Sequence, residues 1–116
     1  YKRQRFLTAP LMKWMFGKYV SDPAQRGNDL MSPVRASAER LRGLPATLIV
    51  VAENDILRDE GEAMGRRLDE AGVEVTTVRF NGVVHDWGML NGFAALHPTR
   101  TLIRLVGSVL RDYLEK

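Results

Sequence analysis

The chain has 116 residues, 45% hydrophobic and 27% charged, a composition that excludes a disordered chain and indicates one small globular domain. Its net charge of +3 includes one basic cluster, Lys2, Arg3 and Arg5, which we interpret as a solvated arm, so no nucleic-acid partner is expected. The absence of cysteine excludes disulfides and thiolate metal sites, and no apolar run reaches the ~20 residues of a transmembrane helix.

The first third of the chain is predicted to combine one helix with loops. Residues 6–20 carry a broad apolar surface, which is typical of a helix buried on more than one side. Pro10 fits the first turn of this helix, so the helix is expected to start just before it. Residues 21–33 are rich in Asp, Gly, Asn and Pro and predict a loop, and residues 36–41 predict a short helical turn.

The central segment predicts a strand followed by a helix. Residues 47–52 are continuously apolar and largely β-branched, as in a parallel strand buried on both faces. Residues 58–71 show helical spacing, and Gly61 and Gly65 could let this helix lie close to the sheet. Gly72 is expected at the position after the helix where φ is positive.

The last segment predicts a second strand and a long helix. Residues 73–80 alternate imperfectly and are expected near a sheet edge. Asn81-Gly82 indicates a turn, residues 83–91 a loop, and residues 99–115 a helix with a wide buried stripe. The stripe comprises Leu102, Ile103, Leu105, Val106, Val109, Leu110, Tyr113 and Leu114.

A strand–helix–strand order predicts a right-handed crossover unit of a parallel sheet. Two strands are too few for a stable sheet of this kind. We therefore expect either a piece of a larger sheet or a sheet completed by a second copy, with self-association through an exposed strand edge as one consequence.

Asp55 and His85 follow the two predicted strands, where parallel sheets place their ligand-binding loops. An imidazole can take a proton from a serine hydroxyl and later give it to a leaving group. A carboxylate on the other ring nitrogen fixes the tautomer and stabilises the imidazolium. The order and spacing of the two residues therefore favour an acid–base pair.

The residues around this pair resemble hormone-sensitive-lipase-like bacterial esterases. Residues 44–62 read as in that family: Leu-Pro, an apolar strand, then Asp55-Ile56-Leu57-Arg58-Asp59-Glu60-Gly61. Further similar segments are Ala71-Gly72-Val73, Arg79-Phe80-x-Gly82-x-x-His85, Ser32-Pro33 and the Phe6–Tyr19 region with its tryptophan. The resemblance covers nearly the whole chain.

The resemblance implies an α/β fold, namely the C-terminal strand–helix–strand–helix portion of an α/β-hydrolase parallel sheet, preceded by a helix of the cap-proximal region. Residues 1–43 would form a helical and loop segment near the substrate entrance, and residues 44–116 the βαβα unit with the acid and base loops. It also implies a carboxylic ester hydrolase of the serine esterase or lipase type, without a cofactor, in which Asp55 is the triad acid and His85 the base.

The sequence departs from a complete enzyme of this kind. From the triad order serine, acid, histidine, the nucleophile is expected upstream of residue 1. The chain contains Ser21, Ser32, Ser37 and Ser108, none of them in Gly-x-Ser-x-Gly, and it contains no His-Gly-Gly-Gly segment for an oxyanion hole. The isolated chain is therefore expected to be inactive. After the histidine, it has Asp86-Trp87-Gly88 where the family usually has Gly-Phe.

Simpler roles remain open for these residues. Asp55 could cap the following helix, and His85 could be a packed loop histidine. Five apolar residues could line an acyl or alcohol pocket, although core packing is the default for each. These residues are Trp14, Phe16, Leu57, Trp87 and Met89.

Three further expectations concern chemistry and location. His97 precedes a proline at a helix start and is expected to be structural, and with His85 it fits no metal-ligand spacing, so no metal site is expected. Rival functions are a peptidase, a dehalogenase-like enzyme with an aspartate nucleophile, or a truncated, non-catalytic assembly module. No leader is visible, and a cytoplasmic location is expected.

Overall fold

The structure, a computed structural model, describes residues 7–115. The basic cluster at Lys2, Arg3 and Arg5, and Phe6 of the first predicted helix, lie outside the described residues. The elements in chain order are α1 (Ala9–Tyr19), α2 (Ala38–Leu41), β1 (Thr47–Asn54), α3 (Arg58–Glu70), β2 (Val75–Val84) and α4 (His97–Leu114). Short 3-10 turns occupy Pro23–Gly27, Pro33–Arg35 and Asn91–Phe93. Within this range, no helix combines the length and the apolar character needed to cross a bilayer.

β1 and β2 pair in parallel, which confirms the predicted crossover unit. Cα partners run in register from Thr47 with Val75 to Ala52 with Phe80, after which Asn54 pairs with Val84. Between these last two pairs, β2 therefore contains two more residues than β1. The predicted turn at Asn81-Gly82 is wrong, because the positive φ of Gly82 (75°) accommodates a bulge and the strand continues through it.

Two glycines allow α3 to lie against the sheet. A Cβ on Gly61 would lie 2.7 Å from Cγ1 of Val51, and one on Gly65 would collide with the Thr77 side chain. α3 ends in a Schellman motif: Gly72, with φ 79°, donates to the Asp69 carbonyl, and Val73 donates to the Leu68 carbonyl. The predicted close approach and the predicted role of Gly72 are both confirmed.

The core lies on both faces of the two-stranded sheet, because successive side chains of β1 point to opposite sides. Toward α3, the cluster contains Ala36, Leu41, Leu68, Ala71 and Val73, with Ile49, Met64 and Val75 packed against it. Toward α4, it contains Ala52, Val83 and Trp87, with Val50, Phe80, Phe93 and Leu102 packed against it. The continuous apolar pattern of β1 reflects this two-sided packing.

Two helices are less buried than their sequences predict. No residue of α1 is buried, and in α4 the side chains of Ile103, Leu110, Tyr113 and Leu114 are exposed, so the predicted stripe is narrower. Helical periodicity shows which residues form an apolar face, but that face is buried only where another element packs against it. In the described part of the chain, only two strands lie beneath α4.

Candidate active site

Asp55 follows the C-terminal end of β1, and its two carboxylate oxygens have different partners. Oδ1 accepts a hydrogen bond from the Leu57 backbone N–H at 2.9 Å. The N-cap position of α3 is Leu57, so Asp55 shapes the turn before the helix without being its N-cap residue. Oδ2 is left to point toward the loop that follows β2, where it meets His85.

The structure brings His85 into direct contact with Asp55: Nδ1 lies 2.7 Å from Oδ2. Both side chains are largely shielded, with 25% of the histidine side chain and 11% of the aspartate side chain exposed. An ionised carboxylate can only accept a hydrogen bond, so Nδ1 carries the proton and donates it. Nε2 is therefore the nitrogen of the neutral ring that can accept a proton from a substrate or nucleophile.

The loop after His85 is held by its backbone and by Trp87. Asp86 has φ 57°, the only positive φ among the non-glycine residues of 7–115. The Trp87 ring is buried, with its centroid 5.4 Å from that of Phe80. This anchored loop places the Asp86 carboxylate 3.4 Å from Nε2 of His85, on the side of the ring opposite Asp55.

A small depression of about 210 Å³ opens beside this pair. Trp87 and Met89, two of the residues predicted to contact substrate, contribute to its wall, but they differ in character. Trp87 belongs mainly to the core, whereas Met89 is 84% exposed and lies at the surface of the depression. The remaining lining residues are Val50, Ala52, Asp55, His85, Asp86, Gly88 and Leu102.

The other three predicted substrate-contacting residues lie elsewhere. Phe16 and Leu57 share a separate open groove of about 730 Å³ between α1, the Pro33–Arg35 turn and α3. Trp14 is 62% exposed, lines neither the depression nor the groove, and has the Lys18 ammonium 5.8 Å from its ring centroid. The structure therefore divides the predicted set among three locations.

Glu53 and Arg58 support the two site loops and were not identified from the sequence. The Glu53 carboxylate accepts a hydrogen bond from the Gly82 N–H at 2.7 Å, and the Arg58 guanidinium donates to the Glu53 carbonyl at 2.8 Å. Arg58 also pairs with Asp59 at 2.7 Å. The signal for Glu53 was a charged residue at the end of an otherwise apolar strand.

The described part of the chain offers no cluster of metal-ligating side chains. Residues 7–115 contain no group of three or more His, Cys, Asp or Glu side chains arranged to hold a metal ion. His97 begins α4 and is exposed there.

The sequence and the structure both match known hydrolases. A family model described as the alpha/beta hydrolase fold matches residues 1–89. A thermostable esterase from Pseudomonas putida is 44% identical and superposes with a TM-score of 0.95 over 98% of this chain and 36% of its own. Carboxyl esterase 2 from Tuber melanosporum is 33% identical, with a TM-score of 0.92, over 97% of this chain and 36% of its own.

A curated relative gives the same result from sequence alone. An arylesterase from Saccharolobus solfataricus is 37% identical over 94 residues, which is 81% of this chain and 28% of that protein. The chain thus spans about a third of the length of the proteins it matches. It belongs to the hormone-sensitive-lipase-like esterase family of the α/β-hydrolase fold.

Proposed function

We propose that this chain supplies the acid and the base of a serine hydrolase that cleaves carboxylic esters of short to medium acyl chain. Proteins of this family are esterases, and both solved structures above carry that name. The observation that carries the proposal is the 2.7 Å contact between Asp55 Oδ2 and His85 Nδ1 at the C-terminal ends of two adjacent parallel strands.

In the proposed reaction, Nε2 of His85 removes the proton from a serine hydroxyl as its oxygen attacks the ester carbonyl. The imidazolium is stabilised by Asp55 and then gives the proton to the departing alcohol, leaving an acyl-serine. Water, deprotonated by the same nitrogen, attacks the acyl-serine, and the imidazolium returns that proton to the serine oxygen as the acid is released. No cofactor takes part in these steps.

The nucleophile is proposed to come from a part of the protein outside these 116 residues. None of the four serines present lies in the strand–turn–helix motif Gly-x-Ser-x-Gly that exposes a nucleophile in this fold. The order of the triad in such enzymes puts the serine before the acid, hence before Asp55 in the polypeptide.

The test is a double-mutant comparison in the full-length protein that contains this sequence. With p-nitrophenyl acetate, Asp55→Asn and His85→Ala are each expected to lower kcat by about 10⁴-fold or more, because the pair acts as a unit. The double variant should be no worse than the poorer single variant. The control is Asp69→Asn, an exposed carboxylate on α3. Near-normal turnover by His85→Ala would contradict the proposal.

A second experiment concerns the nucleophile. The 116-residue chain alone is expected to show no esterase activity above that of a His85→Ala version, because the covalent route needs a serine that the chain does not hold in the required motif. Strong, His85-dependent turnover by the isolated chain would show that one of its own serines reacts.

A non-catalytic assembly role is the alternative, and one observation favours it. Within residues 7–115, β1 has a strand neighbour on one side only, and α4 exposes Ile103, Leu110 and Leu114. Pairing of that open edge with another strand would satisfy its backbone groups. Size-exclusion chromatography with light scattering tests this idea, since a monomer at high concentration would contradict edge pairing. The sequence around the nucleophile would distinguish a peptidase or a dehalogenase-like enzyme from an esterase.

A further inference from the structure

We propose that Asp86 selects substrates by charge, favouring esters that carry a cationic group near the reacting carbonyl over esters that carry a carboxylate there. The inference rests on the proposed hydrolase function. It concerns a residue that has no part in the acid–base pair but lies beside its reacting nitrogen.

The location of Asp86 is the first argument. Its carboxylate lies 3.4 Å from Nε2 of His85, whereas Asp55 occupies the Nδ1 side. In an acid–base mechanism, the nucleophile and the ester meet the imidazole at Nε2. A charge-assisted hydrogen bond between nitrogen and oxygen is normally 2.7–2.9 Å long. The longer contact and the 54% exposure of the Asp86 side chain place this carboxylate beside the reacting nitrogen, open to an incoming molecule.

The loop backbone keeps the carboxylate there. On one side, the backbone N–H of the buried Trp87 donates to the Val84 carbonyl at 3.3 Å, and on the other, the backbone N–H of Met89 donates to the Asp86 carbonyl at 2.9 Å. The positive φ of Asp86 fixes the direction in which its side chain leaves this turn. The fixed backbone limits the positions that the carboxylate can occupy, and a charge confined near one position discriminates better than a mobile one, because less reorganisation accompanies binding.

Among residues 7–115, the one ionisable partner of the Asp86 carboxylate is the His85 imidazole. The depression is lined by two carboxylates, Asp55 and Asp86, and by the imidazole of His85, together with six uncharged residues. No lysine or arginine among residues 7–115 forms an ion pair with Asp86.

The expected size of the effect follows from Coulomb's law. Two unit charges about 6 Å apart at a protein surface, with an effective dielectric constant between about 20 and 80, change a rate or binding constant by roughly threefold to a hundredfold. We expect about tenfold at low ionic strength and less at high salt, where exposed charges are screened.

The experiment uses three p-nitrophenyl esters and the full-length protein. The acids are γ-trimethylammoniobutanoate, its neutral carbon isostere, and glutarate, so the leaving group is the same and only the acyl charge varies. Each kcat/KM is divided by that of the neutral ester. In Asp86→Asn, the cationic ratio should fall and the anionic ratio should rise, each by about tenfold. Asparagine keeps the side-chain shape and tolerates a positive φ. Asp69→Asn should leave both ratios unchanged.

Salt supplies a measurement that needs no variant. In the unsubstituted protein, raising the ionic strength should bring both ratios toward one, and in Asp86→Asn it should not. Ratios that are the same with and without the Asp86 charge, and insensitive to salt, would overturn the inference while His85-dependent hydrolysis still upheld the proposed function. If no ester, p-nitrophenyl acetate included, is cleaved in a His85-dependent way, the proposed function fails and the inference fails with it.

Discussion

The carboxylate of Glu53 accepts a hydrogen bond from the backbone N–H of Gly82 at 2.7 Å, and this contact joins the ends of the two strands that carry the candidate pair. Glu53 lies two residues before Asp55, and Gly82 lies three residues before His85. The contact also spans the bulge of β2, where the regular ladder between the strands is interrupted. We infer that Glu53 positions the base loop relative to the acid loop.

Removal of the Glu53 carboxylate should therefore affect the catalytic rate more than the stability of the fold. Glu53→Ala is expected to lower the free energy of unfolding by about 1 kcal/mol, since the contact is partly solvent-exposed, and Glu53→Gln, which retains an acceptor, by less. In the full-length protein, Glu53→Ala should reduce kcat more than it changes KM. Urea unfolding and p-nitrophenyl acetate kinetics measure the two effects, with Glu70→Ala as an exposed control. Unchanged kcat in Glu53→Ala would argue against a positioning role.

A methyl group at Gly61 should destabilise the protein although alanine is the better helix former. The new Cβ would lie 2.7 Å from Val51 Cγ1, and the overpacking is expected to cost about 1–3 kcal/mol. Gly107 is the matched control, because it lies within α4 with no atom within 4 Å of its added Cβ. Gly107→Ala should stabilise by up to about 1 kcal/mol. Denaturant unfolding of both variants would test the contrast, and equal shifts would contradict it.

Tyr113 should ionise at a higher pH than an ordinary tyrosine. Partial desolvation of its hydroxyl disfavours the phenolate and raises the pKa of Tyr113, and Glu74, which accepts its hydrogen bond at 3.1 Å, and Asp112 raise the pKa further. Because the folded pKa exceeds the unfolded value of about 10, this contribution to stability is present below that pH and is lost as the pH rises through the folded pKa.

Spectrophotometric titration of the 116-residue chain at alkaline pH measures the Tyr113 ionisation in a background where Tyr1 and Tyr19 are phenylalanine. Glu74→Gln should move the pKa of Tyr113 back toward its ordinary value, because the glutamine removes the negative charge. An unaltered titration curve in Glu74→Gln would show that Glu74 does not act on Tyr113.

Substitutions of Trp87 should affect mainly stability, whereas substitution of Met89 should leave stability nearly unchanged. Trp87→Ala is expected to cost about 3–5 kcal/mol of stability. Trp87→Phe should cost far less, because the buried indole N–H has no hydrogen-bond partner among residues 7–115, so phenylalanine removes an unsatisfied donor. Met89→Ala, at an exposed position, should change stability by less than about 0.5 kcal/mol. A contact between Met89 and the substrate predicts that Met89→Ala lowers kcat/KM for esters of longer acyl chains. A series of p-nitrophenyl esters of increasing acyl length measures this effect.

Local sequence patterns predicted the features that are determined by interactions within a few residues of the chain. The apolar run of β1, the glycines of α3 and the positive φ at Gly72 were anticipated because propensity, close packing and helix termination leave signatures within a few residues. The proximity of Asp55 and His85 followed from topology, since adjacent parallel strands end at the same edge. Their catalytic roles stay predictions.

The features missed by the sequence reasoning are those set by distant partners. The bulge at Gly82 depends on a register between strands about thirty residues apart, and Asn-Gly is locally indistinguishable from a hairpin turn. Glu53 bonds to a backbone group on the other strand, which no local spacing encodes. The exposure of Leu110 and Leu114 depends on which elements lie next to α4, not on the helical period of the residues.

The glycines at 61 and 65 also determine how the carboxylate of Asp55 responds to mutation elsewhere. Because α3 meets β1 and β2 without a side chain of its own at these two points, its distance from the strands is set by the side chains of Val51 and Thr77. A larger side chain at either position should therefore push α3 away from the sheet. The turn that holds Asp55 leads directly into α3, so such a substitution should also move the acid relative to its histidine.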